Sequence, residues 1–358
     1  MNERIHIQGA GLMGRVLALT LRQRGFEVVI DDPDPSGESA CAWTGAGMLA
    51  PASELDGGER LVYQLGCEAM SRWPGLLADL PRSVPLDQSG TLIVAHQTDR
   101  AEFDRFRRAL DAGGGRYQLA DQARIAELEP SLDFGEALYL ADEGHIDNRA
   151  LIAATNKALD IRKIDPESDG CSWAGSLHTG RLRKAQGHPI LDDAIWHVDC
   201  RGLAAQDRLP ELRGVRGELI YIHAPEVTLN RPVRILHPRY PLYIVPREQN
   251  TFVVGASQIE SEDRSPISVR TALELLSAAY AIHPGFAEGR ILDTSVHCRP
   301  AFPDHLPRIY HDPERRRIAI NGLFRHGFLL APILAEFAAD LMEKGIEPEA
   351  PILHSFPI

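Results

Sequence analysis

The chain begins its first recognisable element with I-H-I-Q-G-A-G-L-M-G at Ile5–Gly14, and no other stretch of its 358 residues limits the fold so tightly. Gly9, Gly11 and Gly14 form G-x-G-x-x-G directly after a short strand-like run. Val16, Leu17, Leu19 and Leu21 continue as the apolar face of a helix. A strand that feeds a helix through so tight a turn suits a dinucleotide. The first glycine makes the turn, the second lets backbone approach a pyrophosphate, and the third lets helix and strand pack closely. The phosphates then sit at the helix N-terminus, where unpaired N–H groups and the helix dipole favour negative charge. Gly25 ends the helix and Val28-Val29-Ile30 forms the next strand. Asp31-Asp32 closes it about 20 residues beyond the glycines, where the Asp32 carboxylate would hold a ribose hydroxyl. His6 and Gln8 sit poorly in this picture, because a strand buried on both faces is usually apolar throughout.

The length favours two lobes over one core. A hydrophobic content of 44% with 25% charged residues is that of a chain able to bury such cores. The formal charge of −12 opposes nucleic acid or an anionic membrane as a main partner, since both need a basic footprint. No apolar run reaches the length of a membrane span and no leader precedes the first strand, so a cytoplasmic protein is expected. Cys41, Cys67, Cys171, Cys200 and Cys298 are odd in number and lack C-x-x-C, which reads as reduced thiols. Fourteen histidines show no metal-binding spacing, and no metal site is expected.

Further along, Ala42–Pro51 is crowded with small residues; Gly45, Ala46, Gly47, Met48 and Leu49 would let a flat ring or a phosphate lie against backbone. Helices are expected within Glu59–Leu80, Asp99–Ala112, Asp121–Leu128 and Arg149–Leu159, with a strand at Ser89–Ala95. His145 lacks a carboxylate partner or nucleophile pattern and reads as structural. Asp160–Gln206 is the least legible stretch. It holds a charged loop at Arg181–Lys184 and a strand at Ala194–Val198. Gly217–His223, Pro241–Pro246 and Thr251–Ser257 form three short strand-like runs, the last two joined across Glu248-Gln249-Asn250, which indicates an antiparallel meander. A helix at Thr271–Ile282 stops at Pro284-Gly285. Near the end come a strand at Arg317–Ile320, a glycine-bracketed loop at Asn321–Gly327, and an apolar helix at Leu330–Lys344 with Pro332 in its first turn. A second helix N-terminus therefore follows a glycine loop.

Six sequence blocks join the fingerprint in carrying a resemblance: A-G-M-L-A-P-A-S-E at Ala46–Glu54, R-G-E at Arg216–Glu218, Y-I-V-P-R at Tyr243–Arg247, V-V-G-A-S at Val253–Ser257, C-R-P at Cys298–Pro300, and G-L-F-R-H-G-F-L-L-A-P at Gly322–Pro332. Together and in this order they resemble the D-amino-acid oxidase superfamily of FAD enzymes, most closely its glycine oxidase branch. The resemblance implies an α/β, Rossmann-like FAD-binding domain assembled from 1–82, 142–210 and 291–358. An α+β substrate domain with a mainly antiparallel sheet would come from 83–141 and 211–290. It implies that Arg299 clasps a substrate carboxylate, that Tyr243 helps hold it, and that Arg325 lies beside the flavin. Gly322, His326, Gly327, Phe328 and Leu329 would complete the cofactor wall, the helix end there favouring charge on the reduced ring. Three departures stand out. Gln258 occupies a pocket position that relatives fill with an apolar side chain, and His326 replaces a residue that is commonly Asn. Cys200–Ala205 is all that remains of a segment that usually contacts the adenosine half of FAD.

The resemblance implies oxidative deamination of glycine or another small amino acid or amine by hydride transfer to flavin. Oxygen would be the acceptor, peroxide the by-product, and thiazole synthesis for thiamine a destination. A guanidinium that grips a carboxylate in a bidentate fork orients the substrate without moving a proton. The competing expectations are a dehydrogenase that passes electrons to a quinone or carrier protein, and a flavin-binding partner protein without turnover. A tRNA-modifying relative is disfavoured by the acidic charge. The substrate, the oligomeric state and any flavin link to Cys298 stay open.

Overall fold

The computed structural model describes residues 4–165, 196–237 and 242–357. Cys171, the charged run Arg181–Lys184 and most of the atypical middle segment lie outside the described residues. Two large sheets organise the rest. The first has seven strands in the order Leu353–His354, Arg308–Asp312, Arg317–Asn321, Trp196–Asp199, Arg4–Gln8, Glu27–Asp32 and Ile161–Lys163. Its pairings are parallel except between Arg308–Asp312 and Arg317–Asn321.

The fingerprint strand lies inside this sheet, and its two polar residues have separate explanations. The His6 ring nitrogen Nε2 sits 2.8 Å from Asp31 on the neighbouring strand, and Arg162 from the edge strand closes on the same carboxylate at 2.7 and 2.9 Å. Gln8 stands at the strand's last position, where the strand opens onto a cavity, and its side-chain oxygen is buried without a hydrogen-bond partner among the described residues. The first helix, Leu12–Gln23, carries a surprise in Arg15, which is 1% exposed. Its guanidinium donates to the carbonyls of Ala10 and Pro35 and to the side-chain oxygens of Thr155 and Asn156, at 2.6–3.0 Å. Burial pulls its pKa down to about 10.

The last helix packs against the first. It starts at Gly327, three residues earlier than the sequence indicates, so Pro332 is its sixth residue and not part of the first turn. Proline has no N–H to offer the carbonyl four residues back. The carbonyl left over, that of Phe328, accepts instead from the indole N–H of buried Trp73 at 3.1 Å.

The second sheet has eight strands, ordered Arg290–Ala301, Arg213–His223, Thr251–Gly255, Leu242–Arg247, Val233–Leu236, Thr91–Ala95, Glu136–Leu140 and Gln118–Asp121. All pairings are antiparallel except Val233–Leu236 with Thr91–Ala95. The expected meander is present. Its hairpin turns at Gln249 and Asn250, both with positive φ. The long edge strand Arg290–Ala301 was not legible, because polar and apolar residues mix in it without alternation and most of them are exposed or half-exposed. A small third sheet pairs Met48–Leu49 and Leu86–Asp87 with Gly144–Ile146, and so holds the small-residue run in place. The expected helices appear at Arg60–Met70, Trp73–Ala78, Arg100–Gly113, Gln122–Leu128, Asn148–Ala158 and Val269–Ile282. No described helix is long and apolar enough to cross a membrane.

Candidate functional site

A cavity of about 640 Å³ is walled by loops at the ends of the seven-stranded sheet and by the face of the eight-stranded one. At one end lies the glycine turn. Gly9 has φ +98°, and a Cβ there would stand 2.5 Å from the Cys200 carbonyl oxygen. Gly14 does not line the cavity; a Cβ on it would lie 1.9 Å from the Gly9 carbonyl oxygen, so its role is close packing of helix on turn. Gly11 differs from both. It lines the cavity, and a Cβ on it would meet no protein atom within 4 Å, so a side chain there would extend into the cavity alone. The helix behind it has neither a side-chain cap nor an acidic residue in its first turn, so its positive end is open to an anion. Asp32 lines the same end, accepting from the amides of Ala10 at 2.6 Å and Asp34 at 2.7 Å. Burial raises its pKa while those two amides oppose the rise. These features fit the pyrophosphate and ribose of a dinucleotide such as FAD.

The middle of the cavity is lined by Gly45, Ala46, Gly47 and Met48 from the small-residue run, by Cys200 to Ala204, and by Gly327 and Phe328 at the start of the last helix. That helix also has no side-chain cap and no acid in its first turn. Leu49, Gly322, His326 and Leu329 do not line the cavity. Leu49 and Leu329 are core residues, and Gly322 turns at φ +75° against the Phe302 ring.

At the far end stand Arg299, Tyr243, Arg325 and Gln258. Arg299 donates to the carbonyls of Ser257 at 3.1 Å and Arg216 at 3.4 Å, and pairs with no carboxylate among the described residues. Burial raises the Tyr243 phenol, with the Arg299 charge acting against that rise. Two glycines make room for these groups. A Cβ at Gly217 would lie 2.3 Å from the Arg299 guanidinium, and one at Gly255, opposite Tyr243 in the ladder, 2.8 Å from its hydroxyl. Sequence reasoning missed both, although a glycine inside a strand pattern signals close approach of another group.

Arg325 is fully engaged. It reaches Glu54 at 2.7 Å, Glu59 at 3.4 Å and the Gln258 side-chain oxygen at 3.4 Å. His326 lies behind it, 3.0 Å from Glu59 and 3.4 Å from Glu54. Burial works against a proton on His326, but the two carboxylates outweigh it and raise its pKa. Burial works in the opposite direction on Glu54, whose pKa the His326 and Arg325 charges hold well below the usual carboxylate range. Glu54, Glu59 and His326 are close enough to share a cation. Arg325 already supplies the balancing charge. Glu54 lines the cavity, as does Arg234, whose side chain is 11% exposed and bonded to Asp56 and to the Ser53 carbonyl, both at 3.2 Å. Neither was singled out from sequence, though Arg234 interrupts the apolar run Val233–Leu236.

The sequence matches the FAD dependent oxidoreductase (DAO) family over residues 4–341. A Rhizobium etli protein described as a thiamine biosynthesis oxidoreductase, ThiO, is 41% identical over 352 residues, which is 97% of this chain and 98% of that one. A glycine oxidase from Geobacillus kaustophilus is 25% identical over 360 residues, 95% of this chain and 93% of its own. The crystal structure of glycine oxidase from the same organism aligns with a TM-score of 0.76 at 24% identity, across 98% of this chain and 96% of that one. A cavity shaped for a dinucleotide, a family match over nearly the full length and a relative of 41% identity lead to one conclusion: this chain belongs to the DAO family of FAD dependent oxidoreductases.

Proposed function

We propose that the protein catalyses FAD-dependent oxidative deamination of glycine or another small amino acid or amine. Oxygen takes the electrons and leaves as hydrogen peroxide, and the imine or oxo-acid product feeds thiazole formation for thiamine. The observation that carries this reading is Arg299. A guanidinium that lines the cavity and, among the described residues, bonds to two backbone carbonyls and no carboxylate retains donors for a substrate carboxylate. The family and the ThiO relative support the redox chemistry and its destination.

FAD, when bound, supplies the two-electron acceptor. Gly9, Gly11 and Asp32 would hold its dinucleotide end, with Gly14 packing the helix behind the turn, and Gly45–Met48 with Gly327 and Phe328 would hold the ring. Arg299 fixes the substrate carboxylate in a bidentate grip and Tyr243 adds a hydroxyl donor to it. The grip presents the Cα–H to the ring and keeps the substrate from rotating. Arg325, tied to Glu54 and Glu59, works as a wall of the substrate end and not as a second carboxylate clamp. Gln258, bonded to Arg325, gives that wall a polar rim.

We assign 1–82 and 142–210 to the FAD-binding domain and 83–141 and 211–290 to the substrate domain. The last crossing is better placed after Ala301 than at 291, because the strand Arg290–Ala301 supports this reading by pairing with Arg213–His223. Free thiols at Cys41, Cys67, Cys200 and Cys298 accord with a reducing compartment, and we place the protein in the cytoplasm.

The test is peroxide release in air from a panel of small amino acids and amines, with Arg299→Ala alongside. Loss of turnover with FAD retained is expected in the variant, and equal turnover would remove the assignment. Bleaching of the flavin by substrate without oxygen, followed by slow recovery in air, would redirect the electrons to a quinone or carrier protein. A flavin that no amine bleaches would end the enzymatic reading.

A further inference from the structure

The small-residue run that lines the middle of the cavity is held from behind by side chains of two distant segments. Asn148, fully buried at the start of the helix Asn148–Ala158, donates from Nδ2 to the carbonyls of Ala42 and Trp43, both at 2.9 Å. Arg247, at the end of the strand Leu242–Arg247, donates from Nη2 to the Ala46 carbonyl at 2.7 Å and to the Asn148 side-chain oxygen at 3.3 Å. Its Nη1 reaches the Pro246 carbonyl at 3.1 Å, and Asp147 stands 3.6 Å from its Nε. Both segments are remote in sequence from the loop they hold.

A trans peptide is planar, so its C=O and N–H point in opposite directions. Drawing the Ala46 carbonyl toward Arg247 therefore turns the Gly47 N–H the other way. Ala46 and Gly47 both line the cavity, and among the described residues that N–H donates to no backbone carbonyl. The next peptide is fixed as well. The Gly47 carbonyl accepts from Ile146 N–H at 2.9 Å, and Gly47 has φ +64° with no room for a Cβ, which would lie 1.9 Å from the Ile146 carbonyl oxygen. A donor aimed from a pinned backbone costs no reorganisation when charge arrives opposite it.

The geometry points to Arg247, braced by Asn148, as a positioning residue that aims the Gly47 amide into the cavity as a hydrogen-bond donor for the flavin ring. Neither side chain lines the cavity, so both act through the loop. The inference rests on the FAD site described above and adds the part that orients it.

The experiment uses the FAD-loaded protein and three readings: the FAD dissociation constant, the visible absorption spectrum and the flavin reduction potential. Arg247→Met is expected to weaken FAD at least 10-fold, shift the visible maximum and lower the potential, since a donor to the reduced ring is lost. Arg247→Lys, whose ammonium can still donate to the Ala46 carbonyl, is expected to recover the affinity to within about threefold. Unchanged affinity, spectrum and potential in Arg247→Met overturn the proposal, as does loss without recovery in Arg247→Lys. If Arg247→Met does not fold, Asn148→Asp decides by the same readings: the isosteric carboxylate cannot donate to Ala42 and Trp43, so a wild-type spectrum and affinity in that variant overturn the brace. Wild-type protein that binds no FAD would instead remove the cofactor reading on which the inference stands.

Discussion

Gly11 and Gly14 belong to one motif, yet substitution should fail in two different ways. A methyl group on Gly11 enters the cavity, so Gly11→Ala is expected to fold with a near-normal melting temperature and to lose FAD affinity by at least tenfold. A methyl group on Gly14 collides with the Gly9 carbonyl, so Gly14→Ala should lower the melting temperature itself. At the other end of the cavity, Arg299→Lys keeps the charge and loses the fork. A cost of about 2 kcal/mol, roughly 30-fold in kcat/KM for the amino acid, is expected with FAD affinity unchanged. Glu143 offers a pH test. It is fully buried, accepting from the amide and hydroxyl of Ser53, and burial pushes its pKa up to about 7 against an ordinary 4.5. The folded state thus holds this proton over a range where the unfolded chain has lost it. Stability from this group is complete below pH 4.5 and is lost as pH rises through 7, by up to about 3 kcal/mol. Melting curves from about pH 5 to about pH 8 should show that decline in the wild type and a flatter profile in Glu143→Gln. The residues legible in the sequence were those that fall within compact motifs, above all the fingerprint glycines and Asp32. Glu54, Arg234, Gly217 and Gly255 gain their roles from strand pairing and from charges remote in the chain, and no local pattern carries that information.

Among the elements, the last helix makes the sharpest case. Its proline leaves the Phe328 carbonyl without a helical donor, and Trp73 answers it from another helix. Trp73→Phe should cost about 1 kcal/mol from that hydrogen bond, beyond what the smaller ring loses in packing. In a Pro332→Ala background the restored N–H can take over the carbonyl. The cost of Trp73→Phe should then shrink, and denaturant melts of the four proteins in a double-mutant cycle would show the coupling. Full additivity would count against the exchange. The same helix shows why boundaries were harder to read than elements: proline favours a first turn, and only a donor from elsewhere in the fold lets it stand deeper. Strand legibility followed burial. The central meander strands announced themselves by apolar runs, while Arg290–Ala301, which presents Arg299, lies at an edge and looks like loop.

For the whole molecule, the cavity draws its walls from nearly the full length of the chain, from Gln8 to Phe328. A ligand filling it ties these parts together. At a free FAD concentration about 100 times its dissociation constant, stability should rise by about 2.7 kcal/mol, visible as a melting temperature that climbs with added FAD. The sheet order has a further consequence. The fingerprint strand has Trp196–Asp199 on one side, and Arg317–Asn321 lies beyond it, while the helix after the fingerprint packs on Gly327–Lys344. During synthesis the fingerprint strand and its helix therefore leave the ribosome well before Trp196–Asp199, Arg317–Asn321 and Gly327–Lys344, which complete their surroundings. Stable cofactor binding is expected only once Arg317–Lys344 is present, and ribosome-stalled chains ending before residue 317 should carry none.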